Sequence, residues 1–339
     1  MGFYDGEDRG CSTYSITKLL NIPTLLILDG AGSYITLSAL LKGVLEYRRD
    51  NRVKAVIFNN LSSNMHYQLI KKQIEKDHKN IKVLGWIKKS LPSLKDTHLG
   101  LDLEDLDKIE HLSKEVLENI DIKKLEETFK IEKIDEMVEY PFPKIEKIDK
   151  KITIIYDRNF SFLYYDNLKF LEETFREVEI IDSTKDEEIS QNSDIVYICG
   201  GYIETDSAYN RVKNSLKFKN SLIDHSKTKP IYAECAGLLY LGNRIDRKEM
   251  SGILDIEFTL ERRFVRLGYY YSENGVRGHA FHYTKPTSDT LKKGFGTLKK
   301  YKNSKAEIGS WKRDLIFGTY LHTMFRNNLH RLEIFKEFK

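Results

Sequence analysis

A cysteine at the junction of a predicted strand and a predicted helix is the residue of this sequence best placed for chemistry. Residues 230–234 form a short apolar run typical of a buried strand, Cys235 follows at once, and a leucine-rich helical stretch begins at Ala236. A thiol on such a turn lies beside the free amide groups of the helix start, which favours its ionised form. The small residues Ala236 and Gly237 leave room for a substrate, as in the nucleophile elbow of hydrolases. The pattern predicts that Cys235 is a catalytic nucleophile.

Two further positions could complete a site of this kind. A thiol nucleophile is usually paired with a histidine base, and His322 lies at the end of the strand-like residues 318–322. Gly200 and Gly201 end the predicted strand 194–199, and their accessible amides suit an oxyanion. Each feature also has a plainer interpretation, because lone cysteines and histidines are most often packing residues and paired glycines are most often turns. The occurrence of all three in this order on an α/β pattern favours the catalytic interpretation.

Two α/β blocks have to position these residues, and a charged helical stretch joins them. Short buried runs alternate with helical runs in both blocks, which predicts parallel sheets with right-handed crossovers. We predict domains at residues 1–103 and 151–339, with a helical connector at 104–150. The predicted strands are 24–28, 53–58 and 81–85 in the first block, and 151–156, 194–199, 230–234, 264–271, 276–283 and 318–322 in the second; the predicted helices are 38–47, 66–75, 165–177 and one that begins at 328.

Composition narrows the class of protein. The chain has 339 residues, of which 40% are hydrophobic, enough for two domains with buried cores. Its 55 Lys and Arg and 51 Asp and Glu are interspersed, so there is no basic stripe for nucleic acid, and no apolar run is long enough to cross a bilayer. Three widely spaced cysteines fit neither a disulfide framework nor a zinc ribbon. We expect a cytoplasmic protein with neither a nucleic-acid nor a membrane partner.

Five motifs occur in order in the second block. The most specific is the cysteine motif Tyr-Ala-Glu-Cys-Ala-Gly-Leu-Leu-Tyr-Leu at residues 232–241. The other four are Asp-Arg-Asn-Phe-Ser-Phe-Leu-Tyr-Tyr-Asp-Asn at 157–167, Gly-Gly-Tyr-Ile-Glu at 200–204, Gly-His-Ala-Phe-His-Tyr at 278–283 and Thr-Tyr-Leu-His at 319–322. These motifs resemble those of the cobyrinate a,c-diamide synthase family, which are glutamine-dependent amidotransferases of corrin biosynthesis. Together with matches in the first block, the resemblance covers essentially residues 1–339.

The resemblance implies a class I glutamine amidotransferase-like α/β domain in the second block. In such a domain Cys235 would attack the glutamine side-chain amide, His322 would raise the nucleophilicity of the thiol, and Gly200 and Gly201 would hold the oxyanion. The chain departs from the family pattern at Ile203, Ala236 and Ala280, where the family has Pro, Gly and Glu. The H-P-E pattern of other class I enzymes is absent after His322, so the sequence identifies no third member of a catalytic triad.

Two histidines in the Gly-His-Ala-Phe-His-Tyr motif raise the question of a metal site. His279 and His282 lie three residues apart in a predicted strand, a spacing that places them on opposite faces. No cysteine or carboxylate set completes a metal site around them. The resemblance instead implies a structural or substrate-facing role for both, and the sequence predicts no metal ligands here.

The first block resembles the synthetase domain of the same family, which implies a P-loop-like fold that uses ATP and Mg²⁺ to phosphorylate corrin carboxylates. Met-Gly-Phe-Tyr-Asp-Gly at residues 1–6 resembles a family motif, so Asp5 is expected near Mg²⁺ and the phosphates, and Asn59 is expected to contact the adenine. The glycine-rich loop G-x-x-x-x-G-K-[ST] is nowhere in this sequence. The fold class we expect is therefore an incomplete P-loop-like parallel-sheet domain followed by the amidotransferase-like domain.

Three explanations of the missing loop stay open. The reading frame could be truncated, a separate chain could supply the loop, or the protein could have lost ATP-driven synthesis. The predicted function is a carbon-nitrogen ligase that amidates the a and c acetate carboxylates of cobyrinate with ammonia from glutamine. The alternatives are a nickel-sirohydrochlorin a,c-diamide synthase and a subunit that is non-catalytic or only a glutaminase. The expected partners are glutamine, a corrinoid and either a loop-supplying chain or a second copy of this chain, and no prosthetic group is expected.

Overall fold

The computed structural model describes residues 2–92, 96–97, 100–101, 106–131, 142, 145–301 and 303–328, and the chain divides into two compact units with bounds at 1–141 and 142–339. Both units combine helices with sheets, so the predicted α/β class is confirmed. In the described residues no helix is both long and apolar enough to cross a membrane.

A three-stranded parallel sheet with strand order β1-β2-β3 forms the centre of the amino-terminal unit. Four consecutive residues in the middle of β2 are buried, a run typical of a parallel strand covered on both faces. Ser63 caps α3 by accepting a hydrogen bond from the His66 amide, and α3 buries Tyr67, Ile70 and Ile74 in one stripe. The elements are α1 (Thr13–Leu19), β1 (Thr24–Asp29), α2 (Ile35–Tyr47), β2 (Val53–Leu61), α3 (Asn64–Asp77), β3 (Lys82–Lys88), β4 (Asp96–Thr97), β5 (Gly100–Leu101), α4 (Leu106–Asn119) and α5 (Ile122–Phe129), with a 3-10 turn at Glu7–Arg9.

The two faces of this sheet carry separate apolar clusters. On one face Leu41 and Phe58 are fully buried, and on the other Leu125 and Phe129 pack against the Ala55 cluster. The α5 helix, which the sequence assigns to a connector, thus contributes to the core of this unit. In the described residues β1 pairs with β2 alone, and Ile27 in β1 is 65% exposed. This side of the sheet therefore presents apolar surface beside an unpaired strand.

The carboxy-terminal unit is built on a ten-stranded mixed sheet and a smaller four-stranded sheet. The ten strands have the order β19-β14-β13-β16-β17-β18-β9-β8-β6-β7, and the smaller sheet has the order β11-β10-β12-β15. Its elements are β6 (Ile148–Ile155), α6 (Tyr165–Thr174), β7 (Phe175–Ile181), β8 (Ile195–Ile198), α7 (Asp206–Val212), α8 (Leu216–Ser226), β9 (Ile231–Glu234), α9 (Ala236–Leu241), β10 (Arg244–Ile245), β11 (Lys248–Glu249), β12 (Glu257–Leu260), β13 (Arg266–Ser272), β14 (Arg277–His282), β15 (Thr284–Pro286), α10 (Ser288–Lys292), β16 (Gly296–Lys299), β17 (Glu307–Arg313), β18 (Ile316–Thr319) and β19 (His322–Thr323), with a 3-10 turn at Ser183–Lys185.

The parallel half of the large sheet brings three strand ends together. Strands β8, β9 and β18 are parallel neighbours, with Ile198 opposite Ala233 and Thr319 opposite Glu234. All four residues of β8 and all four of β9 are buried, which explains why their apolar runs stand out in the sequence. The carboxyl ends of parallel strands are the usual place for a ligand site in such sheets. The turns after β8, β9 and β18 therefore meet at one edge.

Two predicted elements differ from the structure. The predicted helix 165–177 ends at Thr174, because Phe175–Ile181 forms the edge strand β7, in which Glu177 and Glu179 pair with the buried amine of Lys151. The predicted strand 318–322 is broken, because β18 ends at Thr319 and His322 lies in β19, which pairs with β14 instead. The helix predicted from residue 328 lies outside the described residues.

Candidate active site

Cys235 occupies a strained turn between β9 and α9. Its backbone has φ 47° and ψ −104°, a left-handed φ that is unusual for a residue with a side chain. Such a conformation costs about 1–3 kcal/mol and persists only where the surroundings fix it. Here the fixing elements are β9 and α9, in which every residue is buried. The predicted strand-turn-helix arrangement around the thiol is therefore confirmed.

Close packing of α9 on β8 depends on Gly237. A Cβ at this position would lie 2.5 Å from the main-chain oxygen of Ile198, so only glycine lets the helix approach the strand this closely. The position of Cys235 relative to the end of β8 is set by this contact. The Gly in the cysteine motif thus has a packing role in addition to any role in substrate access.

His322 lies beside Cys235, although the two residues are far apart in sequence. The side chain is 5% exposed, sits in β19 opposite His279, and lies within interaction distance of Cys235. Burial lowers the pKa of His322, but the charge and hydrogen-bond interactions with Cys235, followed by those with Glu234, raise it to about 10. The structure therefore brings together a thiol and an imidazole that is held in its protonated form.

Gly200 and Gly201 follow β8 and lie against the same histidine. A Cβ on Gly200 would fall 2.1 Å from Cε1 of His322, and a Cβ on Gly201 would fall 1.9 Å from the main-chain oxygen of Asn159. Neither position can carry a side chain without movement of its neighbour. The structure thus brings Cys235, His322 and the glycine pair together at one edge of the sheet.

The loop before α6 supports this edge. Asp157 accepts hydrogen bonds from the amides of Asn159 and Phe160 and from both the amide and the hydroxyl of Ser183. The amide of Phe162 donates to Gly200 O at 2.9 Å. The first part of the 157–167 motif therefore shapes the loop that holds the glycine pair.

Asn167, at the end of the same motif, holds the segment that follows His322. Its side-chain amide donates to Thr323 O at 2.7 Å, and its carbonyl oxygen accepts from the Phe325 amide at 2.9 Å. Asn167 is fully buried, so both bonds are shielded from water. The sequence signal for this clamp is the motif itself, although the residue that Asn167 holds is visible only in the fold.

A cavity of about 600 Å³ opens next to His322. It is large enough for an amino acid and combines aromatic with polar groups, as small-molecule sites do. Its lining comprises Tyr164, Tyr269, Tyr270, Tyr271, Gly275, Arg277, Gly278, His279, His322, Met324, Asn327 and Asn328. Substrate can therefore reach the imidazole from this side.

The two histidines of the 278–283 motif lie in different surroundings. His279 lines the cavity, and its ring centroid is 6.2 Å from that of His322. His282 is buried, stacks on Tyr320 with ring centroids 3.7 Å apart, and places Nδ1 2.9 Å from Thr284 O. The structure thus brings His279, but not His282, to the cavity.

The residues expected near nucleotide and metal make local contacts. Asp5 is exposed and accepts a hydrogen bond from the Gly2 amide at 2.7 Å, and Asn59 Oδ1 accepts from the Asn60 amide. Among the described side chains, no group of three or more His, Cys, Asp or Glu is arranged to hold a metal ion. These contacts do not by themselves make up a site for ATP or Mg²⁺, and roles for Asp5 and Asn59 stay predictions.

Glu234 is a site residue that sequence reasoning missed. Its carboxylate is 1% exposed and lies 3.6 Å from Nδ1 of His322. A signal was present in the sequence, because an acid at the end of a wholly apolar strand needs a polar partner. The identity of that partner depends on the fold.

Comparison with known proteins identifies the family. The family model for the CobB/CobQ-like glutamine amidotransferase domain matches residues 151–329. The cobyrinate a,c-diamide synthase of Caldanaerobacter subterraneus subsp. tengcongensis is 34% identical over 84% of this chain and 68% of its own length. Those of Saccharolobus solfataricus and Fusobacterium nucleatum are each 32% identical, over 96% and 92% of this chain and 78% and 75% of their own lengths.

Among solved structures, a glutamine amidotransferase from Thermotoga maritima aligns with a TM-score of 0.34 and 13% identity, over 56% of this chain and 83% of that one. The family model and the curated relatives agree with each other. The match to the family model includes Cys235, Gly200, Gly201 and His322. This chain therefore belongs to the cobyrinate a,c-diamide synthase family, and residues 151–329 form its CobB/CobQ-like glutamine amidotransferase domain.

Proposed function

We propose that the carboxy-terminal unit hydrolyses glutamine, with Cys235 as nucleophile and His322 as acid and base. The observation that carries this proposal is the placement of Cys235 on a strained turn, within interaction distance of the His322 imidazole. In the resting site His322 already holds the proton given up by the thiol, and the thiolate sulfur attacks the side-chain carbonyl carbon of glutamine. The imidazolium then returns the proton to the departing ammonia, which leaves a glutamyl thioester. Water hydrolyses the thioester to glutamate and restores the thiol.

The negative oxygen of the tetrahedral intermediate requires backbone donors. Gly200 and Gly201 support this role because they lie against His322 and carry no side chain that would cover their amides. We propose that the backbone amides of this glycine pair donate hydrogen bonds to the oxyanion. The cavity lined by His279 and His322 is the proposed entrance for glutamine.

The acceptor of the ammonia follows from the family. The curated relatives are named cobyrinate a,c-diamide synthases, so we propose that this protein supplies ammonia for amidation of the a and c acetate carboxylates of cobyrinate. Activation of those carboxylates by ATP and Mg²⁺ is part of the same proposal and makes the enzyme a carbon-nitrogen ligase. The glycine-rich phosphate loop is not in this sequence, and the contacts of Asp5 and Asn59 do not replace it. We therefore derive no ATP-dependent step from these residues.

Labelling with the glutamine-analogue electrophile diazo-oxo-norleucine tests the glutaminase proposal. Mass spectrometry of the labelled protein should place the adduct on Cys235, and Cys235→Ser should abolish both labelling and the release of ammonia from glutamine. Cys11→Ser is the matched control, because Cys11 is exposed and outside the site. Labelling only at Cys11 or Cys199 would contradict the proposal.

A second assay addresses the acceptor. The protein is supplied with glutamine, ATP, Mg²⁺ and either cobyrinate or nickel-sirohydrochlorin, and amidated products are separated by mass. Amidation of cobyrinate supports the proposed function, whereas amidation of nickel-sirohydrochlorin alone contradicts it. Glutamine hydrolysis without amidation of either macrocycle limits this chain to a glutaminase subunit.

A further inference from the structure

The carboxylate of Glu234 is buried and accepts hydrogen bonds from three donors. Its Oε2 accepts a hydrogen bond from the Tyr197 hydroxyl at 3.1 Å, and its Oε1 accepts from the Tyr232 hydroxyl at 2.9 Å and from the Thr323 amide at 3.3 Å. All three donors are uncharged. A buried carboxylate with neutral donors still benefits from a nearby cation, because removal from water is costly.

The imidazole of His322 is placed to provide that cation. Its Nδ1 lies 3.6 Å from Oε2 of Glu234, which is an ion-pair distance and longer than a normal hydrogen bond. Glu234 immediately precedes Cys235 in the chain, so one strand end supplies both the nucleophile and a carboxylate for the histidine. The Thr323 amide, bonded to the same carboxylate, ties the backbone next to His322 to Glu234.

We propose that Glu234 is the positioning residue of His322 and takes the place of the triad acid that this chain lacks after the histidine. The inference rests on the proposed glutaminase function. Glu234 faces Nδ1, which leaves Nε2 to exchange the proton with Cys235. The carboxylate fixes the orientation of the ring and stabilises the imidazolium that forms when the thiol is deprotonated, in the manner of the aspartate in a Ser-His-Asp triad.

A purely structural role for Glu234 would have different consequences. If the carboxylate served only to accept hydrogen bonds from Tyr197 and Tyr232, its replacement would reduce stability and leave the titration of His322 unchanged. If it positions His322, its charge raises the pKa of the imidazole directly. The pKa of His322 therefore separates the two roles without reference to catalysis.

The test compares Glu234→Gln and Glu234→Asp with the unaltered chain. The pKa of His322 is measured by NMR titration in a Cys235→Ala background, which removes the contribution of the thiol, and kcat and KM for glutamine hydrolysis are measured with Cys235 present. The matched control is Glu179→Gln, a carboxylate of β7 in the same sheet that pairs with Lys151 and accepts a hydrogen bond from Thr153.

Glu234→Gln should lower the pKa of His322 by at least about one unit, the usual size for loss of an opposite charge at this distance. It should lower kcat by about 10²-fold and leave KM nearly unchanged, because the carboxylate does not contact glutamine. Glu234→Asp should show smaller changes of the same sign, and Glu179→Gln should change neither property.

An unchanged pKa of His322 in Glu234→Gln would overturn the inference, as would equal losses of kcat in Glu234→Asp and Glu234→Gln. If Glu234→Gln fails to fold, Glu234→Asp provides the test. The shorter aspartate places its carboxylate farther from His322, so the pKa of His322 must still be lower than in the unaltered chain. Absence of glutamine hydrolysis in the unaltered chain would contradict the proposed function, and the titration would still decide the role of Glu234.

Discussion

Gly200 is packed directly against the imidazole of His322, so closely that a Cβ at position 200 would lie 2.1 Å from Cε1 and 2.8 Å from Nδ1 of the ring. Gly200, two residues after the end of β8, therefore forms one wall of the position that the histidine occupies. Movement of this wall must move the ring, and the ring must stay in contact with Cys235 for the proposed chemistry.

Gly200→Ala should inactivate the site without unfolding the protein. The added methyl group must displace His322 by an ångström or more, and a misplacement of this size costs about 10²-fold in rate. The rate of glutamine hydrolysis and the melting temperature are measured together. Gly43→Ala is the control, because nothing lies within 4 Å of its Cβ position in α2, and it should keep full activity. Unchanged hydrolysis in Gly200→Ala would show that the position of the ring is not critical.

The rate of glutamine hydrolysis should fall as the pH rises through about 10. Contacts with Cys235 and Glu234 raise the pKa of His322 from 6.5 to about 10 despite burial, so the imidazolium that protonates ammonia persists up to that pH. The corresponding contribution to folding stability is fully present below pH 6.5 and is lost as the pH rises through 10. The measurement is kcat/KM from pH 6 to 10.5, with circular dichroism at each pH. A fall centred near pH 6.5 would contradict the raised pKa.

Asn167→Ala should destabilise the protein and reduce activity together. The substitution removes the bonds to Thr323 O and from the Phe325 amide, and the loss of such buried hydrogen bonds costs about 1–3 kcal/mol each. Because these bonds hold the segment after His322, hydrolysis should fall more than the fraction of folded protein does. The measurements are urea unfolding and the rate of hydrolysis.

Asn167→Asp sharpens this test. The carboxylate keeps the acceptor for the Phe325 amide but faces Thr323 O without a proton to donate, so the loss should be comparable to that in Asn167→Ala. Asn192→Ala, at an exposed amide that accepts a local bond from Ser190, should change stability by no more than about 0.5 kcal/mol. Stability of Asn167→Asp equal to that of the unaltered chain would refute the clamp.

His225→Gln should make the protein more resistant to acid. Burial lowers the pKa of His225 to about 4, although its bond to Pro230 O opposes that shift. Because the pKa in the folded state is lower than in the unfolded state, stability is fully present above pH 6.5 and is lost as the pH falls towards 4, by up to about 3 kcal/mol. Glutamine can retain the hydrogen bond to Pro230 and does not titrate.

The measurement for His225→Gln is the free energy of unfolding in urea at pH 7 and at pH 4.5. The loss of stability between these pH values should be smaller in the variant than in the unaltered chain. Part of the loss should remain in the variant, because burial also lowers the pKa of His282 well below its ordinary value. An equal loss in both proteins would exclude His225 as a source of acid sensitivity.

Much of the fold could be read from local patterns. Continuous buried runs identified β2, β8 and β9, because strands of a parallel sheet are covered on both faces and need apolar residues at every position. The sequence predicts helix for the first residues of segment 175–181, whereas the structure has the strand β7 there. Pairing with β6 and the ion pair with Lys151 favour the strand, and neither is visible in the local sequence. Local sequence patterns therefore predict which strands and helices form better than they predict where each one ends.

The sequence by itself determined the alternation of strands and helices, the position of a cysteine at a strand end, and the family motifs around it. Only the tertiary structure decided that His322 lies beside Cys235, that Gly200 forms the wall behind the ring, and that Glu234 faces its other side. The physical reason is the order of strands in the sheet. Strands β8, β9 and β18 are neighbours in space but not all consecutive in sequence, and no local periodicity records which strand ends will meet.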